Sequence, residues 1–236
     1  MFLTLLVTFF LWFAVFDQKS SFGTYGRQTL LSYILFANII SNFVMGTRTS
    51  DVAGDINDGR IINYLLKPVS FFSYIFTRDM ADKLMNTLFV FIELGIVIVL
   101  FHPPLVTPNN HLGIALIFLV NGIFISFFIN LLLSFIGFWT TEVWGPRFLF
   151  LMLVFFLSGS YFPLDLLPST IYRLILLTPF PYLYYLPTKI LITKDISQIP
   201  NLFQSFIVSS LWSLASWRLA LFVWSKGNKS FSFWGR

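Results

Sequence analysis

Few side chains in this sequence are equipped for chemistry, and most of them sit together in one short segment. Asp55, Asp58, Arg60, Asn63 and Lys67 all fall within DINDGRIINYLLKP, residues 55–68, between two strongly apolar stretches. On a helical wheel Ile61, Ile62, Leu65, Leu66 and Val69 share about 140° of arc, with Arg60, Asn63 and Lys67 opposite. Charges on one face and aliphatic groups on the other make a surface for gripping or anchoring, not a proton-transfer or nucleophilic centre. The pattern predicts a short helix lying on a surface. Amphipathicity alone leaves three uses open: an interfacial anchor, a basic loop that sets orientation, or a docking element.

Other candidates are isolated. Glu93 is the one acid deep inside an apolar run, VFIELGIV. A carboxyl group there is a functional candidate by default, for a substrate path, a gate or proton coupling. It is equally a polar link between helices, against Asn38, Asn42, Asn121 or Asn130. His102 and His111 flank the loop FHPPLVTPNNH without nearby carboxylates, so no metal site is expected. DVAGDINDG resembles a calcium loop only superficially. Counted from Asp51 or from Asp55, the sixth residue is Ile56 or Arg60 where glycine is needed, and the twelfth is Ile62 or Leu66. No G-x-x-x-x-G-K-[ST], H-E-x-x-H or G-x-S-x-G occurs, and there is no cysteine.

The elements that position these groups must be membrane helices. Of 236 residues, 57% are hydrophobic and 11% charged, against roughly 25% charged in soluble domains. The 31 Phe and 7 Trp exceed what a soluble core of this size can bury, and mean hydropathy is +0.81. Continuous apolar runs, rather than alternation, exclude a β-barrel. The fold class is all-α polytopic membrane protein, a single transmembrane domain over 1–236. With about 20 apolar residues needed per crossing, six transmembrane helices are expected at about 2–17, 28–46, 83–101, 112–138, 147–162 and 203–224. The run MFLTLLVTFFLWFAVF shows neither a basic leader nor a small-residue cleavage site, and reads as the first span.

Six spans put both termini on one side. Arg48, Arg60, Lys67, Arg78, Lys83, Arg147, Lys226, Lys229 and Arg236 then share that side, with Lys19, Arg27, Arg173, Lys189 and Lys194 opposite. Nine cations against five put both termini and segment 47–82 in the cytoplasm. The net charge of +5 reflects those loops, and no nucleic-acid partner is expected. On the outer side, 159–202 holds six of the eleven prolines around TIYRLILL, which is too short to span. It reads as short re-entrant helices, each stopped by proline. Tyr161, Phe162, Tyr182, Tyr184 and Tyr185 there could line an exit gate or form an ordinary aromatic belt.

Two motifs carry a resemblance. Asp55, Ile56, Gly59, Arg60, Ile61, Leu65, Leu66, Lys67 and Pro68 match D-I-x-x-G-x-[ILV]-x-x-x-L-L-[KR]-P. Ser158, Gly159, Phe162, Pro163, Leu164, Pro168, Pro179 and Phe180 match S-G-x-x-[FI]-P-[LI] with its following prolines. On these, and on the order of spans over nearly the whole chain, the protein resembles the permease subunit of a six-helix bacterial ABC-2 type transporter. The basic, glycine-ended tail of that branch is matched only loosely by Lys226 to Arg236, and N-terminal contacts are not carried over.

The resemblance implies an exporter subunit that forms the substrate path as a homo- or heterodimer in the bacterial inner membrane, surrounded by lipid. ATP and Mg would sit on a separate cytoplasmic ABC ATPase, with no cofactor and no catalysis on this chain. The implied coupling helix on the ATPase uses Asp55, Asp58, Gly59, Arg60, Asn63, Leu65, Leu66, Lys67 and Pro68. Its apolar arc would pack on the span ends or the lipid interface and its polar arc, Asp55 included, would face the motor. Path or gate candidates are Glu93, Ser158, Gly159, Tyr161, Phe162 and Pro163. A stand-alone channel or secondary carrier is the alternative, with Glu93 its only midplane ion site.

Overall fold

The computed structural model describes residues 2–18, 21–45, 48–103, 105–106, 110–199 and 201–230. Lys19, Pro200 and Arg236, used in the reading above, lie outside them. The described residues form helices joined by short turns, with one small hairpin. In a lipid environment only a helix satisfies its own backbone donors and acceptors within one segment, so long apolar runs take that form.

Helix α1 spans Phe2–Gln18, and the two-residue strands β1 (Ser21–Phe22) and β2 (Tyr25–Gly26) lead into α2, Arg27–Met45. A 3-10 turn at Arg48–Ser50 opens α3 (Asp51–Asn57), and α4 is a single turn, Ile62–Leu65. Helix α5 runs unbroken over 31 residues, Phe71–Phe101. Its start is set by Ser70, whose extended backbone and side-chain oxygen cap the Ser73 amide. Helix α6 is Leu112–Phe135, prolonged by a 3-10 turn to Phe138, and α7 is Trp144–Leu157. Then follow α8 (Ser169–Ile175), a 3-10 turn at Phe180–Tyr182, α9 (Tyr185–Ile192) and α10 (Leu202–Ser230).

Two expected boundaries move. Residues 71–82 are not loop but the first three turns of α5, which at 1.5 Å per residue is about 46 Å long and overreaches a hydrocarbon core of about 30 Å. The fifth apolar helix ends at Leu157 rather than 162, because Gly159 takes φ +79° and turns the chain. Among the described residues, four stretches that begin with α2, α5, α6 and α10 are long and apolar enough to cross a membrane, and α1 and α7 are shorter apolar helices.

Helix α6 is the hub: α10 lies along it, and α2, α3 and α9 pack on its other sides. The larger buried cluster lies among α1, α2, α6 and α9 and includes Phe9, Leu30, Tyr33, Phe118 and Tyr184. A smaller one gathers Val52, Ile56, Ile61, Phe71, Phe127, Phe135 and Ala220, with Phe71 stacked on Trp224 at 4.0 Å. The outward faces of α5 and α10 keep Leu88, Phe89, Ile92, Leu211 and Phe222 exposed, as lipid contact requires. The bundle thus has a charged end, where 48–70, 136–143 and the close of α10 meet, and an opposite end built from the hairpin and 158–199.

The expected re-entrant segment is not simply a surface cap. Helix α9 is inserted between α2 and α6 and is almost wholly buried. A Cβ on Gly122 would stand 2.8 Å from the Tyr182 carbonyl oxygen, so the turn before α9 lies backbone to backbone on α6. Gly122→Val should therefore lower stability by about 1–3 kcal/mol through overpacking. Gly95→Ala, where a Cβ meets nothing within 4 Å, should be neutral or slightly stabilising. Thermal unfolding in detergent reads both, and equal midpoints for the two variants would refute the close approach.

Candidate functional site

At the charged end the chain folds back on itself. Helix α3 buries Val52, Ala53 and Ile56, and Ala53 presses so close to Gly137 that a Cβ there would lie 3.2 Å from its carbonyl oxygen. The Asp58 and Gly59 amides close α3 onto Gly54 and Ile56 at 2.8 and 3.1 Å. Gly59 has φ +73°, a conformation open to glycine at little cost. The reversal lets the Ile61 amide reach the Asp55 carbonyl at 2.9 Å and buries Ile61 completely.

That reversal corrects the expected role of Asp55. Its buried carboxylate accepts from Arg60 Nε at 2.9 Å and from the Tyr64 hydroxyl at 2.8 Å, so it faces inward and not toward a partner. Burial, and then the hydrogen bond to Asp55, push the Tyr64 phenol above its ordinary value. Arg60 also reaches Asp58 at 3.0 Å, and its hydrogen bond to Asp55 holds it firmly charged.

The first turns of α5 complete the network. Asp79 Oδ1 accepts the Arg48 backbone amide at 3.0 Å, and Arg48 Nε pairs with Asp82. Arg78 meets Asp51 at 3.2 Å and lies 3.5 Å from the Tyr64 hydroxyl. Beneath these, Asp79 and Lys83 face each other at 2.9 Å with both side chains almost fully buried. Arg147 on α7 donates to Ser134 Oγ at 2.7 Å, and Ser134 in turn donates to the Thr49 carbonyl at 2.6 Å. All five aspartates between 47 and 82 are thus engaged, and 48–83 forms one braced unit. Each exposed pair contributes little alone; the buried pair adds little net stability either, but removing one partner leaves a buried charge uncompensated and is costly. Sequence reading did not find this network, although Asp79 and Lys83 at i, i+4 were a visible signal.

The expected amphipathic helix over 61–69 is shorter and oriented differently. Only 62–65 is helical, because Gly59 turns the chain before it and Pro68 disfavours helix at the residue preceding it. Of the apolar arc, Ile61 is buried and Ile62 half-buried, while Leu65, Leu66 and Val69 are 43%, 78% and 54% exposed. Ile61 and Ile62 pack with Phe71, Phe135 and Ala220 at the ends of α5, α6 and α10, whereas Leu65, Leu66 and Val69 stay uncovered by the described residues. The tip presents Leu65, Leu66 and Val69 beside exposed Asp58, Arg60, Asn63 and Lys67. Lys67 is held over the Tyr74 ring at 4.4 Å. An apolar centre with a polar rim on a stiff base is suited to gripping another protein.

The motif at 158–163 is an elbow at the opposite end. Tyr33 donates to the Gly159 carbonyl at 2.6 Å, and the Ser158 carbonyl accepts the Tyr185 amide at 2.9 Å. A Cβ on Gly159 would meet the Tyr33 hydroxyl at 2.8 Å and Tyr185 Cβ at 2.9 Å. Ser158, Gly159 and Pro163 are buried, Phe162 is half-buried, and Tyr161 is exposed with its carbonyl accepting from Trp12. Nearby, Tyr25 donates to Asp165 at 2.9 Å, and Lys189 binds the same carboxylate at 2.6 Å. Burial and the adjacent carboxylate drive the Tyr25 phenol far above its usual value. Tyr184 and Tyr185 are buried in the core rather than ranged along an interface. The separation of Tyr25, Asp165 and Lys189 in the chain left no sequence signal for their meeting.

Glu93, half-buried midway along α5, has its Oε2 shielded and unpartnered among the described residues. It bonds none of the four asparagines considered for it: Asn42 donates to the Asn38 carbonyl, Asn130 to Ser126, and Asn121 to Ser209 on α10. No cluster of three metal-ligating side chains occurs among the described residues.

Lys83→Met should destabilise the protein by about 3–5 kcal/mol, because it leaves Asp79 buried without its cation. Adding Asp79→Asn should recover most of that loss, read by equilibrium unfolding in mixed detergent. A single variant as stable as the parent would show that the pair is not a charged contact.

No curated protein matches the chain. The sequence profile of the family described as ABC-2 family transporter protein matches residues 2–235. The match runs over the braced unit, the elbow and every apolar helix just described, so the chain belongs to the ABC-2 transporter family of membrane transport proteins.

Proposed function

We propose that this chain is the permease subunit of an ATP-driven exporter, crossing a bacterial inner membrane six times through α1, α2, α5, α6, α7 and α10. Both termini and the charged end lie in the cytoplasm. Two permease subunits, identical or related, form the path, and separate ATPase subunits carrying ATP and Mg dock on residues 58–69. The exposed tip of Leu65, Leu66 and Val69 on the braced unit carries this reading. A side chain as apolar as Leu66 is held out of the protein where a partner can cover it.

Three observations support it. The sequence has no phosphate-binding loop of its own. Among the described residues Arg48, Arg60, Lys67, Arg78, Lys83, Arg147, Lys226 and Lys229 gather at the charged end, against Arg27, Arg173, Lys189 and Lys194 at the other, in keeping with a positive cytoplasmic side. The tip is tied to the bundle at two places, through the ion pairs to α5 and through Ala53 against Gly137. When ATPase subunits close, a push on the tip moves α5 and the end of α6 together, where a floppy loop would absorb it. Coupling is reciprocal in binding free energy, so cargo changes nucleotide affinity as well.

Leu66→Asp should leave folding intact, since the side chain is already exposed, and weaken ATPase association by about 30-fold, the scale of losing one hot-spot contact. Copurification and ATP hydrolysis in liposomes measure it. Unchanged association and turnover for Leu66→Asp and Val69→Asp together would remove the docking assignment. If no ATPase copurifies and the chain alone passes ions, the protein is a channel or carrier instead.

A further inference from the structure

A cleft of about 610 Å³ opens at the end opposite the tip, between α8 and the start of α10. Its polar side is Arg173, Asn201 and Gln204, and its apolar side is Leu176, Leu177 and Val208. Buried Tyr182 closes part of it, its hydroxyl donating to the Leu176 carbonyl at 2.6 Å, and burial pushes that phenol up to about 12. Trp212 fixes the other wall by donating to the Leu177 carbonyl at 2.9 Å.

Arg173 is the one charged side chain among the described residues that line the cleft. No carboxylate lines the cleft, and no ion pair engages Arg173 among the described residues. The first turn of α10 carries no acid, so its free amides add to the positive field. Within the cleft Leu176, Leu177 and Val208 form an apolar wall, and Leu177 is 57% exposed. A soluble anion has no use for that wall. A molecule with one anionic head and an apolar tail fits both parts, the head at Arg173 and the helix start, the tail along Leu177 and Val208.

We propose that this cleft is a binding site for a single anionic amphiphile of phospholipid type, entering sideways from the surrounding bilayer. Occupied, it braces α8 against α10 and holds the turn that leads into α9. The inference rests on the membrane placement of the chain and not on ATPase docking, so it is tested without the motor.

The whole protein is placed in nanodiscs of dioleoylphosphatidylcholine with a minor fraction of dioleoylphosphatidylglycerol, and retained lipid is identified by native mass spectrometry. The parent should keep phosphatidylglycerol selectively. Arg173→Gln should reduce that retention about tenfold, as for losing one charge-assisted contact. Gln204→Glu should do the same while leaving unfolding temperature level or higher, because an acid near a helix start favours the helix as it repels the head group. Added inorganic phosphate should not displace the lipid. Parental retention in both variants, equal retention of phosphatidylcholine, or displacement by phosphate would each overturn the proposal.

Discussion

A charged side chain at the edge of an apolar slab must be paired, bonded or pushed into water, and that constraint organises the charged end. Asp79 and Lys83 lie where water does not reach, so each depends on the other, and Asp79 also accepts the Arg48 amide. Once Arg48 is held against α5, α3 must begin where it does. Its Asp51 then meets Arg78, and the chain must reverse at Gly59 to bring Arg60 and Tyr64 to Asp55. The exposure of Leu66 accompanies this folding: Arg60 and Tyr64 turn back to Asp55, and Leu65, Leu66 and Val69 are left outside. A buried pair of this kind often adds little net stability. Its effect is to fix which residues sit inside and which outside.

The opposite end meets the same demand with phenols. Tyr33, Tyr172, Tyr182 and Tyr185 place hydroxyls on backbone carbonyls or on each other without taking a charge out of water. Asp165 and Lys189 form an ion pair there, and Tyr25 joins them. The two ends are joined through α6, where glycines at 122 and 137 admit foreign backbone, from the turn before α9 at one site and from α3 at the other. Serine and asparagine complete the seam, with Asn121 donating to Ser209 on α10.

The membrane class, the order of apolar runs and the position of the charged segment were legible because hydropathy over twenty residues is a strong local signal. Gly59 and Pro68 were legible as punctuation, and both sit at turns. The inside and outside of 61–69 were not. A wheel ranks residues around an axis, but the segment makes one helical turn, and the cluster that buries Ile61 does not include Leu65. Asp55 looked like surface because acids mostly are; only Tyr64 and Arg60 folding back over it make it interior. The elbow showed as Ser158–Gly159, yet the reason for glycine, the Tyr33 hydroxyl and Tyr185 Cβ at the place of a side chain, depends on residues 126 and 26 positions away. Non-local contacts of that kind leave no periodicity to read.

Helix α5 has the properties of a lever under the proposed coupling. It contains no proline and one glycine, Gly95, and sharp kinks need such residues. Its first turns carry Arg78, Asp79, Asp82 and Lys83, and the network around them fastens α5 to the segment that bears the tip. A displacement at Leu66 is therefore delivered to one end of a rod and appears at the other, close to where Leu105 accepts from Gln28 on α2. Helix α7 behaves differently. Val154 is its only buried residue within its span, and Arg147 is its polar tether at the charged end. Beyond that tether α7 rests Phe150 on Phe180 at 6.0 Å between ring centres, whereas α6 and its closing turn meet foreign backbone at Gly122 and Gly137. Of the two helices α6 is therefore the more closely packed, and it is the one that joins the two ends of the bundle.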